Sequence, residues 1–244
     1  MPFPSYVHAV IPSSDADAWP VQGQGVNECG ITVVANALNL LVGRHVYDKD
    51  DLIREAGWLF QRSLGGSPSP ETGRLLKRHG VGTHFGNLRR TNAEAVLRDL
   101  VDRRVPVVVE IGTNRVGPFA IYGQHSILLV GYSDPHPDRN GTLHEDYYFV
   151  DAQWPRLGAF TLAANDTDVD GNPTPMPGNR TMARAEFLQW FQTGIYFPVF
   201  PSQEAHDRWY NSHMRPFKTA MLTGSIVSTL LTGTTDVWNG AQQA

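Results

Sequence analysis

The stretch GQGVNECGITVVANALNLL, residues 23–41, holds the only cysteine of the chain, Cys29. Behind it Ile31, Val34, Ala35, Leu38 and Leu41 recur at helical spacing, and Gly43 ends the run. The pattern predicts a buried helix with Cys29 in its first turn. A thiol in that position is either a small apolar core group or a nucleophile, since the partial positive charge of a helix N-terminus lowers its pKa.

Working outward from this helix, the next segments are also helical. Asp48 is a candidate cap for a helix over 49–61, and Ser69-Pro70 opens another that stops at Gly80. Thr91 and Glu94 have capping-box spacing and predict a helix to about Arg103. The texture then changes. VPVVVEIG (105–112), HSILLVGYS (125–133) and YYFVDA (147–152) are β-branched and aromatic runs bounded by Gly, Pro and Asp, and they predict strands of one sheet. Polar loops follow at 134–146 and 165–180, then a helix over 182–192 and a strand, GIYFPVF. Helices first and an antiparallel sheet afterwards predict an α+β fold in a single domain over 1–244. Residues 1–22 are expected to be an irregular Pro-rich leader, and 203–244 a C-terminal helical extension.

The composition narrows the functional classes. A chain of 244 residues, 41% hydrophobic and 18% charged, is that of a folded protein with a substantial core. A net charge of -4 without a Lys/Arg cluster argues against nucleic acid as a partner. One cysteine excludes an internal disulfide framework and any multi-thiolate zinc site. MPFPSYVHAVIPSS does not read as a Sec signal, and AMLTGSIVSTLLTG is too short and too interrupted to span a bilayer. The expectation is a soluble protein, cytoplasmic or exported without such a signal.

A cysteine hydrolase needs a thiolate, a histidine within hydrogen-bond reach, a group that orients the imidazole, and donors for the oxyanion. Each has a candidate. Cys29 opens the helix, with Gln24 or Gln22 just upstream. His125 begins one strand and Asp151 ends the next. If those strands are antiparallel neighbours joined by the 134–146 loop, His125 and Asp151 meet at one edge of the sheet. Against this stand blander readings: a structural core cysteine, a core histidine, and an Asp151 that caps a turn before Trp154-Pro155. Asp134 and Asp146 are rival orienters.

Gln-…-Glu-Cys-Gly at a helix start, then His-Ser-Ile-Leu-Leu-Val-Gly-Tyr, then Tyr-Phe-Val-Asp-Ala, resembles the papain-like cysteine peptidases, and among them the bacteriocin-leader-processing group. The first motif is also similar to SUMO-protease-type enzymes, but there the cysteine follows the histidine and aspartate, whereas here it comes first. The resemblance spans three motif islands over about residues 22–155. It implies Cys29 as nucleophile, His125 as general base and acid, Asp151 as orienter and a glutamine as oxyanion donor, with no cofactor and with a peptide or protein as substrate. The family spaces Gln and Cys by six; here Gln24 stands five and Gln22 seven before Cys29. Asp151 is followed by Ala rather than Pro. The same constellation also serves deamidation, transglutamination and acyl transfer, in a toxin or effector as well as in a peptidase. An inactive peptide-binding module is the non-enzymatic alternative.

The remaining signals are weaker. DTDVDG (166–171) matches the opening of a calcium loop, but Pro177 stands where the bidentate Glu belongs, so an Asx turn fits it better. His136, Asp138, His144 and Glu145 share a loop without zinc spacing and read as solvated. Trp154 is either a lid over the imidazole–carboxylate bond or a core residue. The apolar C-terminal segment around Met221 and Leu230 packs on the domain or offers a partner surface.

Overall fold

The computed structural model describes residues 2–11, 21–57, 60, 66–87, 90–112, 124–154 and 165–214. Helix α1 (Cys29–Val42) is enclosed by protein from Gly30 to Asn39. Its β-branched run, Ile31 to Val34, is a poor helix former, and burial overrides that preference. Gly43 closes it at φ 68, with its N–H turned back to Asn39 and Leu40. Helix α2 (Lys49–Ala56) is capped by Asp48, whose side chain accepts from the Asp50 N–H; the expected continuation to residue 61 runs outside the described residues. Helix α3 (Ser69–Arg78) starts with Pro70 inside its first turn. Helix α4 (Arg90–Asp102) lies where the capping box predicts a helix.

A seven-stranded antiparallel sheet packs against these helices, in the order β10-β7-β4-β3-β11-β2 with β1 beside β4. Its members are β1 (Val7–Ala9), β2 (Gly86–Asn87), β3 (Val107–Gly112), β4 (Gln124–Ser133), β7 (Asp146–Val150), β10 (Arg180–Ala183) and β11 (Ile195–Pro198). The hairpins β5–β6 (His136–Pro137, Leu143–His144) and β8–β9 (Asn165–Thr167, Pro173–Met176) stand off it. The fold is α+β, with an N-terminal helical part packed on an antiparallel sheet.

Alternation along the strands assigns the two faces. Glu110 lies opposite Ser126 and takes a hydrogen bond from Ser69 of α3 at 2.8 Å, and Gly73 of α3 meets Phe197; this face carries α1 to α3. On the other face Tyr147 and Phe149 pack their rings at a tilt against Phe187 of α5 (Arg184–Trp190), and Arg98 of α4 reaches the Tyr147 hydroxyl. The core includes Ile31, Leu75, Leu76, Leu97, Val107 and Phe197, all with essentially no exposed surface. Burying such a side chain contributes roughly 1.5–3 kcal/mol.

Two sequence expectations are corrected. The 1–22 leader is not wholly irregular: Val7 to Ala9 pair with Ser133 to Gly131, continuing the β4 edge where β3 stops. The helix expected from 182 starts at Arg184, because Arg180 to Ala183 pair with β7. With four residues between a loop and a helix, that strand is too short to show a period. In the C-terminal extension, α6 (Gln203–Trp209) runs into a π-helical turn, Tyr210–Met214; the segment around Met221 and Leu230 lies outside the described residues. Among the described residues no helix is long and apolar enough to cross a membrane.

Candidate active site

Cys29 is the first residue of α1 and is a half-buried free thiol. The turn leading into it is packed tightly. The Glu28 carboxylate, buried, accepts from the Gly25 N–H at 2.6 Å and from Lys49 Nζ at 2.7 Å. A Cβ on Gly25 would lie 2.8 Å from that carboxylate, so a larger residue there would require the Glu28 side chain to shift. On the other side Gly66, at φ +100, passes so close that a Cβ would stand 2.3 Å from the Asn27 carbonyl oxygen.

The β4–β7 pairing is antiparallel, with Leu128 opposite Val150, so the start of β4 and the residue following β7 share one edge. There His125 Nε2 lies 2.7 Å from Asp151 Oδ1, and both side chains are almost wholly buried. With Nε2 engaged, the other ring nitrogen, Nδ1, is the one left for the hydrogen bond with the Cys29 thiol. Backbone N–H groups of Ser126 and Gly30 also point at the sulfur.

These contacts order the charges. Burial pushes the Cys29 thiol up, but the hydrogen bond and positive charge of His125, with the Ser126 and Gly30 amides, bring it below its ordinary value. Burial pulls the imidazole down, yet Asp151 and Cys29 together push it up to about 9. Burial would raise the Asp151 carboxyl, and His125, the Gln153 amide and Arg180 hold it below the usual carboxylate range. The arrangement favours a thiolate–imidazolium pair, which is a nucleophile and a proton donor side by side.

Asp151 is held from several directions. Its backbone N–H donates to Asn179 Oδ1 at 2.8 Å, and Asn179 Nδ2 donates back to the Asp151 carbonyl at 2.9 Å. Arg180 Nη1 donates to Asp151 Oδ2 at 2.7 Å. The Arg180 guanidinium also lies over the Trp154 ring, 5.0 Å from its centroid. Trp154 is half exposed, so it is not a core residue, and its ring covers the guanidinium.

The two glutamines part company. The Gln22 side chain donates to the Tyr47 carbonyl and accepts from the Lys49 N–H, so its amide is spent on the loop into α2. Gln24 is buried, its backbone N–H donates to the Ala152 carbonyl, and its side-chain Oε1 has no hydrogen-bond partner among the described residues. A half-turn of the side-chain amide exchanges Oε1 for the Nε2 donor.

The rival orienters lie elsewhere. Asp134 meets His8 at 3.1 Å, and Asp146 lies 3.9 Å from His136. His136, expected to be solvated, is buried under the Tyr6 ring, 3.9 Å between centroids, and its Nδ1 bonds the Asp134 carbonyl. His144 Nε2 approaches Asp138 Oδ2 at 3.3 Å in the same hairpin. In DTDVDG, Asp168 accepts from the Asp170 and Asn172 amides, an Asx turn. Among the described residues no group of three or more His, Cys, Asp or Glu is arranged to hold a metal ion.

Sequence reasoning passed over Asn179 and Arg180, the last two residues of a loop read only as polar, and the Glu28–Lys49 pair. The one available signal for Asn179-Arg180 was its place directly after the Pro/Gly-rich run.

No described protein family and no curated protein matches the chain. Among solved structures it is similar to the peptidase domain of Streptococcus ComA, a bifunctional ABC transporter involved in a quorum sensing pathway. They share 15% identity at a TM-score of 0.44, over 75% of this chain and 97% of that one. It is also similar to the G161 variant of the Salmonella effector SpvD, at 10% identity and a TM-score of 0.35, over 82% of this chain and 81% of that one.

Proposed function

We propose that the chain is a papain-like cysteine hydrolase, a peptidase acting on peptide or isopeptide bonds of a peptide or protein substrate. The observation that carries this reading is the continuous hydrogen-bonded line from Cys29 through His125 to Asp151. In the reaction the Cys29 thiolate adds to the substrate carbonyl carbon. Gln24 Nε2 and the Cys29 backbone N–H hold the resulting oxyanion. His125 gives its proton to the departing amine as the C–N bond breaks, leaving a thioester. The neutral imidazole then takes a proton from water, whose oxygen attacks the thioester and releases the acid and the thiolate. Asp151 keeps the ring in place and stabilises its positive form throughout.

The test is incubation of the protein with a mixed peptide library that includes glutamine-containing members. Chain cleavage read by mass spectrometry, absent in Cys29→Ala, is the expected result. Ammonia release without cleavage would assign the same three side chains to deamidation or acyl transfer instead. A folded protein whose Cys29 resists iodoacetamide at neutral pH would replace the enzyme reading with that of a peptide-binding module.

A further inference from the structure

Resting on the hydrolase reading above, we propose that Arg180 is a positioning residue of the site: its guanidinium fixes the Asp151 carboxylate and completes an alternating row of charges with His125 and Cys29. The geometry is specific. Asp151 uses Oδ1 for His125 and for the Gln153 N–H, at 2.7 and 2.9 Å, which leaves Oδ2 as its second pole. Arg180 Nη1 occupies that pole at 2.7 Å. β10 brings Arg180 opposite Phe149 on β7, two residues before Asp151. Trp154, half exposed, lies against the guanidinium from outside.

The charges facing these groups can be named element by element among the described residues. Asp151 faces His125 from β4 and Arg180 from β10, with the neutral amides of Gln153 and Asn179. His125 faces Asp151 and, from α1, Cys29. Without Arg180 the row of thiolate, imidazolium and carboxylate would carry a net negative charge in a buried place, which is costly. With Arg180 the row is neutral. The guanidinium therefore does two things: it prevents Asp151 from swinging away from the imidazole, and it restrains the carboxylate from over-stabilising the imidazolium. Loss of a positive charge raises the pKa of every neighbouring acid, more at the nearer His125 than at Cys29.

The experiment compares Arg180→Gln, which keeps a donor for Oδ2 but no charge, with Arg180→Lys, which keeps the charge. Two readouts need no substrate: the pH dependence of Cys29 alkylation by iodoacetamide, and the His125 titration by nitrogen NMR, assigned with His125→Ala. In Arg180→Gln the His125 titration moves upward by about half a pH unit or more, and the alkylation limb moves up by less. In Arg180→Lys both stay within a few tenths of wild type. Trp154→Ala, at an exposed position where folding is not at stake, gives a smaller upward shift as the guanidinium loosens. A lowered melting temperature in Arg180→Gln with both titrations unmoved would reduce Arg180 to a structural strut and overturn the proposal. If His125→Ala itself leaves the alkylation profile unchanged, the hydrolase reading falls, and this inference falls with it; if His125→Ala shifts the profile and Arg180→Gln does not, only this inference falls.

Discussion

The backbone N–H of Gln24 donates to the carbonyl oxygen of Ala152 at 3.1 Å, so the segment entering the cysteine helix is tied to the residue after Asp151. One hydrogen bond thereby couples the candidate oxyanion donor to the far end of the Cys29–His125–Asp151 line. Gln22, two residues earlier, is tied instead to Tyr47 and Lys49.

That division predicts opposite phenotypes. Gln24→Ala lowers kcat about 10²–10³-fold with little change in unfolding midpoint, as expected for the loss of one oxyanion donor. Gln22→Ala leaves the Lys49 N–H without its acceptor, while the Tyr47 carbonyl keeps Asn39, and lowers stability by roughly 1–3 kcal/mol, with the remaining folded protein still active. Peptide turnover and urea unfolding of the two variants separate them. An unchanged kcat in Gln24→Ala would remove it from the site.

Cys29→Ala and His125→Ala each abolish turnover, while Asp151→Ala retains a residual rate lowered by up to about 10⁴-fold, since an orienter acts through the imidazole. Unlike Cys29→Ala, Asp151→Ala also loses stability, by roughly 3 kcal/mol, because it leaves Arg180 without its carboxylate. Kinetics and chemical denaturation on the three variants check both halves.

The buried Glu28–Lys49 pair, with side chains 4% and 13% exposed, is a structural prop for the nucleophile's turn. Glu28→Ala leaves the ammonium with Asp50 alone, 3.3 Å away, releases the Gly25 amide, and is expected to destabilise by about 1–3 kcal/mol. The double variant Glu28→Gln, Lys49→Met recovers a substantial part of that loss. Urea midpoints of the single and double variants decide; a single variant as stable as wild type would show that the pair contributes nothing.

The imidazole of His125 is raised to about 9 from an ordinary 6.5. A group raised on folding adds stability that is complete below its unfolded pKa and is lost as pH climbs through its folded pKa. The stability gap between wild type and His125→Ala should therefore shrink from about pH 6.5 to about pH 9. Turnover declines over the upper part of that range as the proton donor is lost. A gap that widens with rising pH would mean that the ring is neutral in the fold.

The fold's main divisions were legible because they rest on long patterns. The apolar spacing behind Cys29 extends over enough residues to fix a helical period, and the runs around Val107, Leu128 and Phe149 declare themselves by β-branched and aromatic composition between Gly, Pro and Asp. The meeting of His125 with Asp151 was legible because both sit at strand ends, where antiparallel neighbours must align. What stayed hidden depended on short or distant partners. β1 and β10 have three and four residues, too few for a period. The choice between Gln22 and Gln24 turned on Tyr47 and Lys49, which no local spacing reveals. Asn179 holds the backbone of Asp151 and Arg180 its carboxylate, from 28 and 29 positions downstream, so nothing beside them in the chain announces it.

The clamp that Asn179 and Arg180 place on Asp151 also sets an order of events during synthesis. Residues emerge from the ribosome N-terminus first, and the cysteine is therefore made long before its partners. Until β10 has left the exit tunnel and paired with β7, Asp151 lacks both its backbone clasp and its counter-ion. A nascent chain arrested short of that strand would carry the sulfur, the imidazole and the carboxylate, with the carboxylate still unclamped. The support around Asp151 is thus completed only by the arrival of the tetrapeptide Arg180–Ala183, 29 residues later.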